Sequence, residues 1–132
     1  MNAVWWQQLG LVAAGGALGA VGRFWLGGVL LRRIGDGWPW GTLAANLLGS
    51  FAVGWLAIWL EGRGPAALYW RAFLIVGVLG ALTTYSALML ECLLFARTGR
   101  SASTVAYLAV TLLAGLMLVW LGARSAEWMR AG

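Results

Sequence analysis

Residues 72–95 read AFLIVGVLGALTTYSALMLECLLF and decide the fold of this chain. The stretch is long enough to cross a bilayer as a helix, which takes about 20 apolar residues. Its middle carries four consecutive hydroxyl side chains, from Thr83 to Ser86. Polar groups are costly in hydrocarbon, because no water is present to satisfy them. We therefore expect this cluster to bind or pass something polar, or to be covered by another helix.

The whole chain has the composition of an integral membrane protein. Of its 132 residues, 62% are hydrophobic and only 10% are charged, whereas soluble domains are about 25% charged. The formal net charge of +5 comes from arginines that form no single patch. This distribution fits contact with lipid headgroups and argues against a nucleic-acid partner. Because the chain has no histidine and no clustered acids, it is not predicted to be an enzyme.

Four apolar segments, separated by short polar connections, predict an all-α membrane protein with four transmembrane helices. The segments span residues 5–31, 40–60, 69–95 and 103–122, within a single domain that covers residues 1–132. Both prolines, Pro39 and Pro65, lie in the connections, where they interrupt no helix. Most of the tryptophans lie near segment ends, as in the aromatic belts of membrane proteins.

The arginines in the connections, in the C-terminal region and at the ends of the apolar segments are balanced between the two sides of the membrane. With four spans, one group shares the side of both termini and an equal group shares the other side. The first group is Arg63, Arg71, Arg124 and Arg130, and the second is Arg32, Arg33, Arg97 and Arg100. Orientation normally follows an excess of basic residues on the cytoplasmic side. The balance favours insertion in both orientations and an antiparallel dimer; a weak bias that is settled during insertion is the alternative.

Polar residues inside the apolar segments are the candidates for function. Arg23 either attracts an anion or anchors its helix at the headgroups. Asn46 has two N–H donors and an acceptor without a charge, which suits either a small anion or a hydrogen bond between helices. Glu91 either extends a polar track or pairs with an arginine. Tyr107 and Thr111 place two hydroxyls on one face of the last helix, unless Thr111 bonds back to its own helix.

Glycines predict close contacts between the helices. Gly15 and Gly19 form a small-xxx-small face on the first helix, and Gly49 and Gly54 thin the second. In lipid, such faces let two backbones approach each other closely. Four helices are few for enclosing a pathway, so oligomerisation is expected to supply the rest.

Three stretches of the chain resemble the CrcB/Fluc family of fluoride channels. They are the glycine-rich run that ends in Gly22-Arg23-Phe24, the run Gly41-Thr42-Leu43-x-x-Asn46, and the run Gly80-x-x-Thr83-Thr84-Tyr85-Ser86. The resemblance covers nearly the whole chain, in order and with the right number of segments. It implies a multi-pass protein of the bacterial inner membrane through which cytoplasmic fluoride leaves the cell passively.

The resemblance also implies an assembly and a set of ion sites. The family forms antiparallel dual-topology dimers, and its third helix is broken in the middle of the membrane at the Thr-Thr pair. By this resemblance, the backbone carbonyls of Gly80 and Thr83 hold a structural sodium ion, Na⁺, at the dimer interface. The implied fluoride path consists of Asn46, Tyr85, Ser86, Glu91, Tyr107 and Thr111.

The chain departs from the family's Thr-Thr-Phe-Ser-Thr-Phe pattern after the two threonines. Tyr85 keeps an aromatic ring but adds a hydroxyl, Ala87 removes a hydroxyl, and Leu88 removes the second ring. These changes leave open either an altered permeation or pairing with a related subunit. The balanced arginines favour a homodimer.

Two other functions remain as alternatives to a channel. A small dual-topology multidrug or cation antiporter needs a carboxylate within the membrane, and Glu91 is the candidate for that role. A non-conducting structural membrane subunit needs no such group. Glu91 lies toward the end of its helix and the first helix has no acid, which argues against the antiporter. The structural subunit is separated from a channel by whether the purified protein moves an ion by itself.

Overall fold

The computed structural model describes residues 2–132, which form helices joined by short connections. Four of them are α1 (Ala3–Ile34), α2 (Trp40–Trp59), α4 (Tyr85–Arg97) and α5 (Ser101–Ala131). Between α2 and α4, α3 begins as Ala66–Trp70, continues as the π-helix Arg71–Leu79 and ends as Gly80–Leu82. Because α3 and α4 lie in one apolar stretch, the described residues contain four spans able to cross a membrane. This confirms the prediction of an all-α membrane protein with four spans.

The chemistry of its flanking residues fixes both ends of α1. The side chain of Asn2 accepts a hydrogen bond from the Trp5 amide at 3.1 Å and so satisfies a free N–H of the first turn. At the other end, Gly35 adopts φ 95° and its amide donates to the Leu31 carbonyl, a conformation that favours glycine. Arg32 and Arg33 in the last turn face the negative end of the helix dipole.

The last helix extends well beyond the apolar segment from which it was predicted. The apolar run ends at Gly122, whereas α5 continues to Ala131. Its final turns carry Arg124 and Glu127, which form an ion pair of 2.9 Å, and these residues are good helix formers in spite of their charge. Buried Ala126 lies in the same turns. Hydropathy indicates where a helix leaves the apolar region rather than where the helix ends. From Ser101 to Ala131, α5 is longer than the roughly 30 Å of a hydrocarbon core.

Two close helix pairs, α2 with α5 and α1 with α3, build the fold. At Gly54 of α2 an added Cβ would collide with the Val119 carbonyl of α5, and at Gly122 of α5 it would collide with the Phe51 carbonyl of α2. The same tight fit places Gly19 of α1 against the carbonyl of Val78 in α3. These backbone contacts agree with the glycine pattern of the sequence. In lipid, where the hydrophobic effect does not drive helices together, such close packing stabilises their association.

Buried residues lie between the helices, and large apolar side chains cover the outside. A core cluster consists of Leu43, Leu88, Cys92, Phe95 and Tyr107. By contrast, Phe24 is 86% exposed and Leu113 is 69% exposed. A surface of this kind suits hydrocarbon, in which exposed apolar groups carry no penalty. The polar atoms of the chain must therefore find partners within the protein.

We expect Gly54→Ala to destabilise the protein by about 1–3 kcal/mol, because the methyl group must displace the backbone of α5. Thermal unfolding in detergent, followed by circular dichroism, measures the effect. Gly16→Ala is the matched control, since nothing lies within 4 Å of a Cβ added at Gly16. Equal unfolding temperatures for the two variants would contradict the close contact between α2 and α5.

Candidate functional site

The hydroxyl cluster lies where the helix between residues 66 and 97 is interrupted. Thr83 has φ −80° and ψ 153°, and Thr84 has φ −151° and ψ 124°, so both residues are extended. The Leu79 carbonyl accepts hydrogen bonds from the amide of Thr83 at 2.9 Å and from its hydroxyl at 2.8 Å. The first half of the stretch thus ends with the amide of Thr83 bonded to Leu79, and the backbone groups of Thr84 have no helical partners.

Asn46 of α2 supplies the partners that the extended residues lack. Its Nδ2 donates to the Thr84 carbonyl at 3.1 Å, and its Oδ1 accepts from the Thr84 amide at 2.7 Å. A primary amide can do this because it carries a donor and an acceptor side by side, like the backbone itself. Both polar groups of Thr84 are satisfied in this way without water, which is the condition for non-helical backbone within a membrane protein.

Thr84 starts the second half of the interrupted helix. Its Oγ1 accepts a hydrogen bond from the Ala87 amide at 3.2 Å, which caps the first turn of α4. The same oxygen lies 3.3 Å from the hydroxyl of Ser86. Gly49 of α2 leaves the room for this arrangement, because a Cβ at that position would collide with the methyl group of Thr83.

Carbonyl oxygens at the interruption divide into bonded and free groups. Arg23 of α1 donates from Nε to the Ala81 carbonyl at 3.1 Å. Within residues 2–132, no donor reaches the carbonyl oxygen of Thr83, and no side chain donates to that of Gly80. Neutral oxygens of this kind suit a hard cation such as Na⁺. The same part of the chain contains no group of three or more His, Cys, Asp or Glu side chains able to hold a metal ion, so a cation site here would rest on backbone oxygens.

An open groove of about 370 Å³ runs along the interruption. Asn46, Tyr85, Leu88 and Thr111 line it together with Gly80 and Thr83. Tyr85 is 75% exposed, whereas Leu88 is buried. The hydroxyl of Thr111 donates to the Tyr107 carbonyl at 2.8 Å, which is the back-bonded alternative that the sequence left open. In this arrangement Thr111 offers the groove lone pairs rather than a hydrogen.

Glu91 is the centre of a second polar cluster. Its carboxylate accepts hydrogen bonds from the Thr42 hydroxyl at 2.5 Å and from the Tyr107 hydroxyl at 2.6 Å. Tyr107 is fully buried, and its ring makes edge contacts with Trp38 and Phe95 at centroid distances of 5.7 and 6.1 Å. The ion pairs of residues 2–132 do not include Glu91, so its observed partners are hydroxyls rather than an arginine.

The two clusters open to different surfaces. Glu91, Thr42 and Arg23 line a wider groove of about 600 Å³ beside the connection between α1 and α2. Tyr107 and Ser86 line neither this groove nor the one along the interruption. Thr42 belongs to the motif Gly41-Thr42-Leu43-x-x-Asn46, but no role was predicted for it. Its signal was the hydroxyl one helical turn before Asn46 on the same face of α2.

The structure therefore brings the predicted site residues together in two groups. Asn46, Tyr85 and Thr111 share the first groove with Gly80 and Thr83, and the pair Glu91 and Tyr107 forms the second cluster. Arg23 contributes to both regions, because its Nε bonds Ala81 near the interruption while its side chain lines the wider groove.

Comparison with known proteins relates the chain to membrane channels. The model of the family described as CrcB-like protein, Camphor Resistance (CrcB), matches residues 10–123. A relative from Xanthomonas euvesicatoria pv. vesicatoria is 61% identical over 99% of both chains. One from Xylella fastidiosa strain 9a5c is 58% identical over 94% of this chain and 87% of its own. One from Hydrogenovibrio crunogenus is 43% identical over 87% of both. Each is named fluoride-specific ion channel FluC, a name that agrees with the prediction of a non-enzyme.

We expect Tyr107→Phe to destabilise the protein by about 1.5–3 kcal/mol, because Glu91 loses a hydrogen-bond donor in a partly buried place. Thermal unfolding in detergent measures the loss. Tyr69→Phe is the control, since the Tyr69 hydroxyl also bonds a side chain, that of Gln7 at 3.0 Å, but at an exposed position. The Glu91 cluster would be refuted as a stabilising unit if both variants unfolded at the same temperature.

Proposed function

The chain belongs to the CrcB family, and we propose that it is a fluoride-selective channel of the bacterial inner membrane that lets cytoplasmic fluoride leave passively. One observation carries the proposal: Asn46, an uncharged N–H donor, is fixed at a helix interruption and lines an open groove. The names of the relatives, which are 43–61% identical, give the ion. The four apolar spans give the multi-pass membrane location.

A passive route is sufficient for removing fluoride. Neutral HF crosses lipid and dissociates in the less acidic cytoplasm, where the anion is trapped. A membrane potential that is negative inside drives an anion outward with about 2.3 kcal/mol per 100 mV. No coupled ion is then needed, and no proton-carrying carboxylate of the antiporter type is required of Glu91.

Selectivity for fluoride would come from replacing its water shell with a few fixed donors in a narrow path. Asn46 uses one Nδ2 hydrogen on Thr84 and keeps a second hydrogen. The ring edge of Tyr85, on the same groove, carries partial positive charge and can face an anion. Ser86, Glu91, Tyr107 and Thr111 continue the proposed path, and Leu88 replaces a second ring with an aliphatic wall.

A second copy of the chain would complete this path. The groove is open along one side, and the exposed ring of Tyr85 stands beside it. We propose an antiparallel, dual-topology homodimer in which the interruptions of the two α3–α4 spans meet in the middle of the membrane. The balanced arginines of the connections support insertion in both orientations.

Sodium would be the structural ion of that dimer. The carbonyl oxygens of Gly80 and Thr83 are the proposed ligands, and within residues 2–132 that of Thr83 has no donor. When bound, the ion would supply positive charge that offsets these dipoles and favours an anion nearby. The neighbouring carbonyls of Thr84 and Ala81 are not proposed as sodium ligands, because they accept hydrogen bonds from Asn46 and Arg23.

Ion efflux from liposomes that contain the purified protein tests the proposed function. A fluoride electrode and a chloride electrode record the loss of each anion after a potassium gradient and valinomycin set the voltage. Fast fluoride loss without chloride loss is expected. Dimers that are folded but release no fluoride would refute the channel and favour a subunit that needs a partner.

We expect Asn46→Leu to lower fluoride efflux at least ten-fold, because the variant removes the donor and frees both polar groups of Thr84. Gln8→Leu is the control, since it makes the same change of amide to leucine on α1, in a groove that shares no lining residue with that of Asn46. Size-exclusion chromatography checks that both variants keep the assembly of the wild type. Unchanged efflux from Asn46→Leu would remove Asn46 from the pathway.

We expect prolonged dialysis of the purified protein into N-methylglucamine chloride, free of sodium, to lower both fluoride efflux and the thermal unfolding temperature. The reason is that free carbonyl dipoles would then face each other without a cation between them. Returning sodium should restore both quantities, whereas returning magnesium should not. Full efflux and stability without sodium would contradict the cation site.

A further inference from the structure

Arg23 belongs to a stripe on α1 that follows the backbone of α3. Gly15, Gly19 and Arg23 are spaced four residues apart and therefore share one face of the helix. A Cβ at Gly15 would collide with the Phe73 carbonyl, and one at Gly19 would collide with the Val78 carbonyl. The two glycines thus bring α1 into backbone contact with α3, and Arg23 is the next residue along this contact.

At the end of the stripe, Arg23 bonds the last turn of α3. Its Nε lies 3.1 Å from the carbonyl oxygen of Ala81, and the bond is partly buried. Carbonyls in the last turn of a helix have no partner within the helix, and they form the negative end of its dipole. A cationic donor at this point satisfies one carbonyl and also offsets the dipole.

Hydrogen bonds therefore divide the carbonyls at the end of α3 into those with a donor and those without one. Leu79 accepts from Thr83, and Ala81 accepts from Arg23. Among the described residues, the carbonyl of Thr83 has no donor and that of Gly80 has no side-chain donor. Arg23 and Thr83 therefore decide which oxygens of the interruption are left for another ligand.

We propose that Arg23 is a positioning residue that caps α3 through Ala81 and so fixes the carbonyls of Gly80 and Thr83. The effect of this role on ion flow rests on the proposed channel. The Arg23 side chain also lines the wide groove with Glu91, but its role at the interruption requires the Nε donor rather than contact with the anion. Without the cap, the Ala81 carbonyl is unsatisfied in an apolar surrounding. The end of α3 can then unwind or rewind through Thr83 and Thr84.

A matched pair of substitutions separates the hydrogen bond from the charge. Glutamine carries its amide nitrogen at the same distance from the backbone as Nε of arginine, so Arg23→Gln keeps the donor and loses the charge. Arg23→Met has a similar length without a donor. Arg32→Met is the control on the same helix, because Arg32 is exposed and lies in its last turn.

Hydrogen–deuterium exchange of the segment 80–88 and fluoride efflux are measured for each purified variant. Arg23→Met should exchange at least ten-fold faster in this segment and lose at least ten-fold in efflux. Arg23→Gln and Arg32→Met should stay within three-fold of the wild type in both measurements. Failure of Arg23→Met alone to fold would also support the need for the donor.

Several results would overturn the role of Arg23. Normal exchange in Arg23→Met would show that Arg23 does not cap α3. A loss of efflux with normal exchange in Arg23→Gln would show that the charge acts on the anion itself. Equal losses in Arg23→Met and Arg23→Gln, including failure of both to fold, would show that the hydrogen bond is not what Arg23 contributes. If the wild type carries no fluoride, the exchange data still decide the role of Arg23, so failure of the proposed function is recognised separately.

Discussion

The hydrogen bonds between the Asn46 side chain and the backbone of Thr84 are the interaction on which the rest of the site depends. They connect α2 to the interruption between α3 and α4 at 2.7 and 3.1 Å. A span that is extended at two residues leaves backbone groups without helical partners, and hydrocarbon offers no water to replace them. One neutral amide solves this for both groups of Thr84 without bringing a charge into the membrane. Because the amide comes from α2, the interruption exists only when the helices are packed.

Everything beside this pair follows from the same need to satisfy polar atoms within the protein. Thr83 closes the first half of the helix on Leu79, and Thr84 opens the second half by capping Ala87. Arg23 satisfies Ala81 from the opposite helix. The Thr83 carbonyl is left without a donor, and Thr83 lines the open groove along the interruption. The proposed cation site and the proposed anion path would both follow from how the break is stabilised.

Sequence patterns were sufficient for the coarse architecture, because long apolar runs and Gly-rich faces are local properties. The four spans, the glycine contacts and the interest of the Thr83–Ser86 cluster could all be predicted. The partners of polar side chains could not, since they depend on which helices meet. Asn46 makes a hydrogen bond between elements, as one alternative had it, and its partner is the backbone of Thr84. For Arg23 the sequence suggested an anion or headgroups, and its observed partner is a carbonyl. Hydropathy predicted neither the hydrogen bond from Thr42 to Glu91 nor the charged last turns of α5.

Nuclear magnetic resonance of the isotope-labelled protein in micelles measures the central interaction most directly. If Asn46 bonds both polar groups of Thr84, the side-chain amide protons of Asn46 and the backbone amide proton of Thr84 lie close enough for a strong nuclear Overhauser cross-peak. The carbon chemical shifts of Thr83 and Thr84 should then be those of extended backbone. Absence of the cross-peak together with helical shifts at both threonines would show a continuous helix, and the account of the site would be wrong.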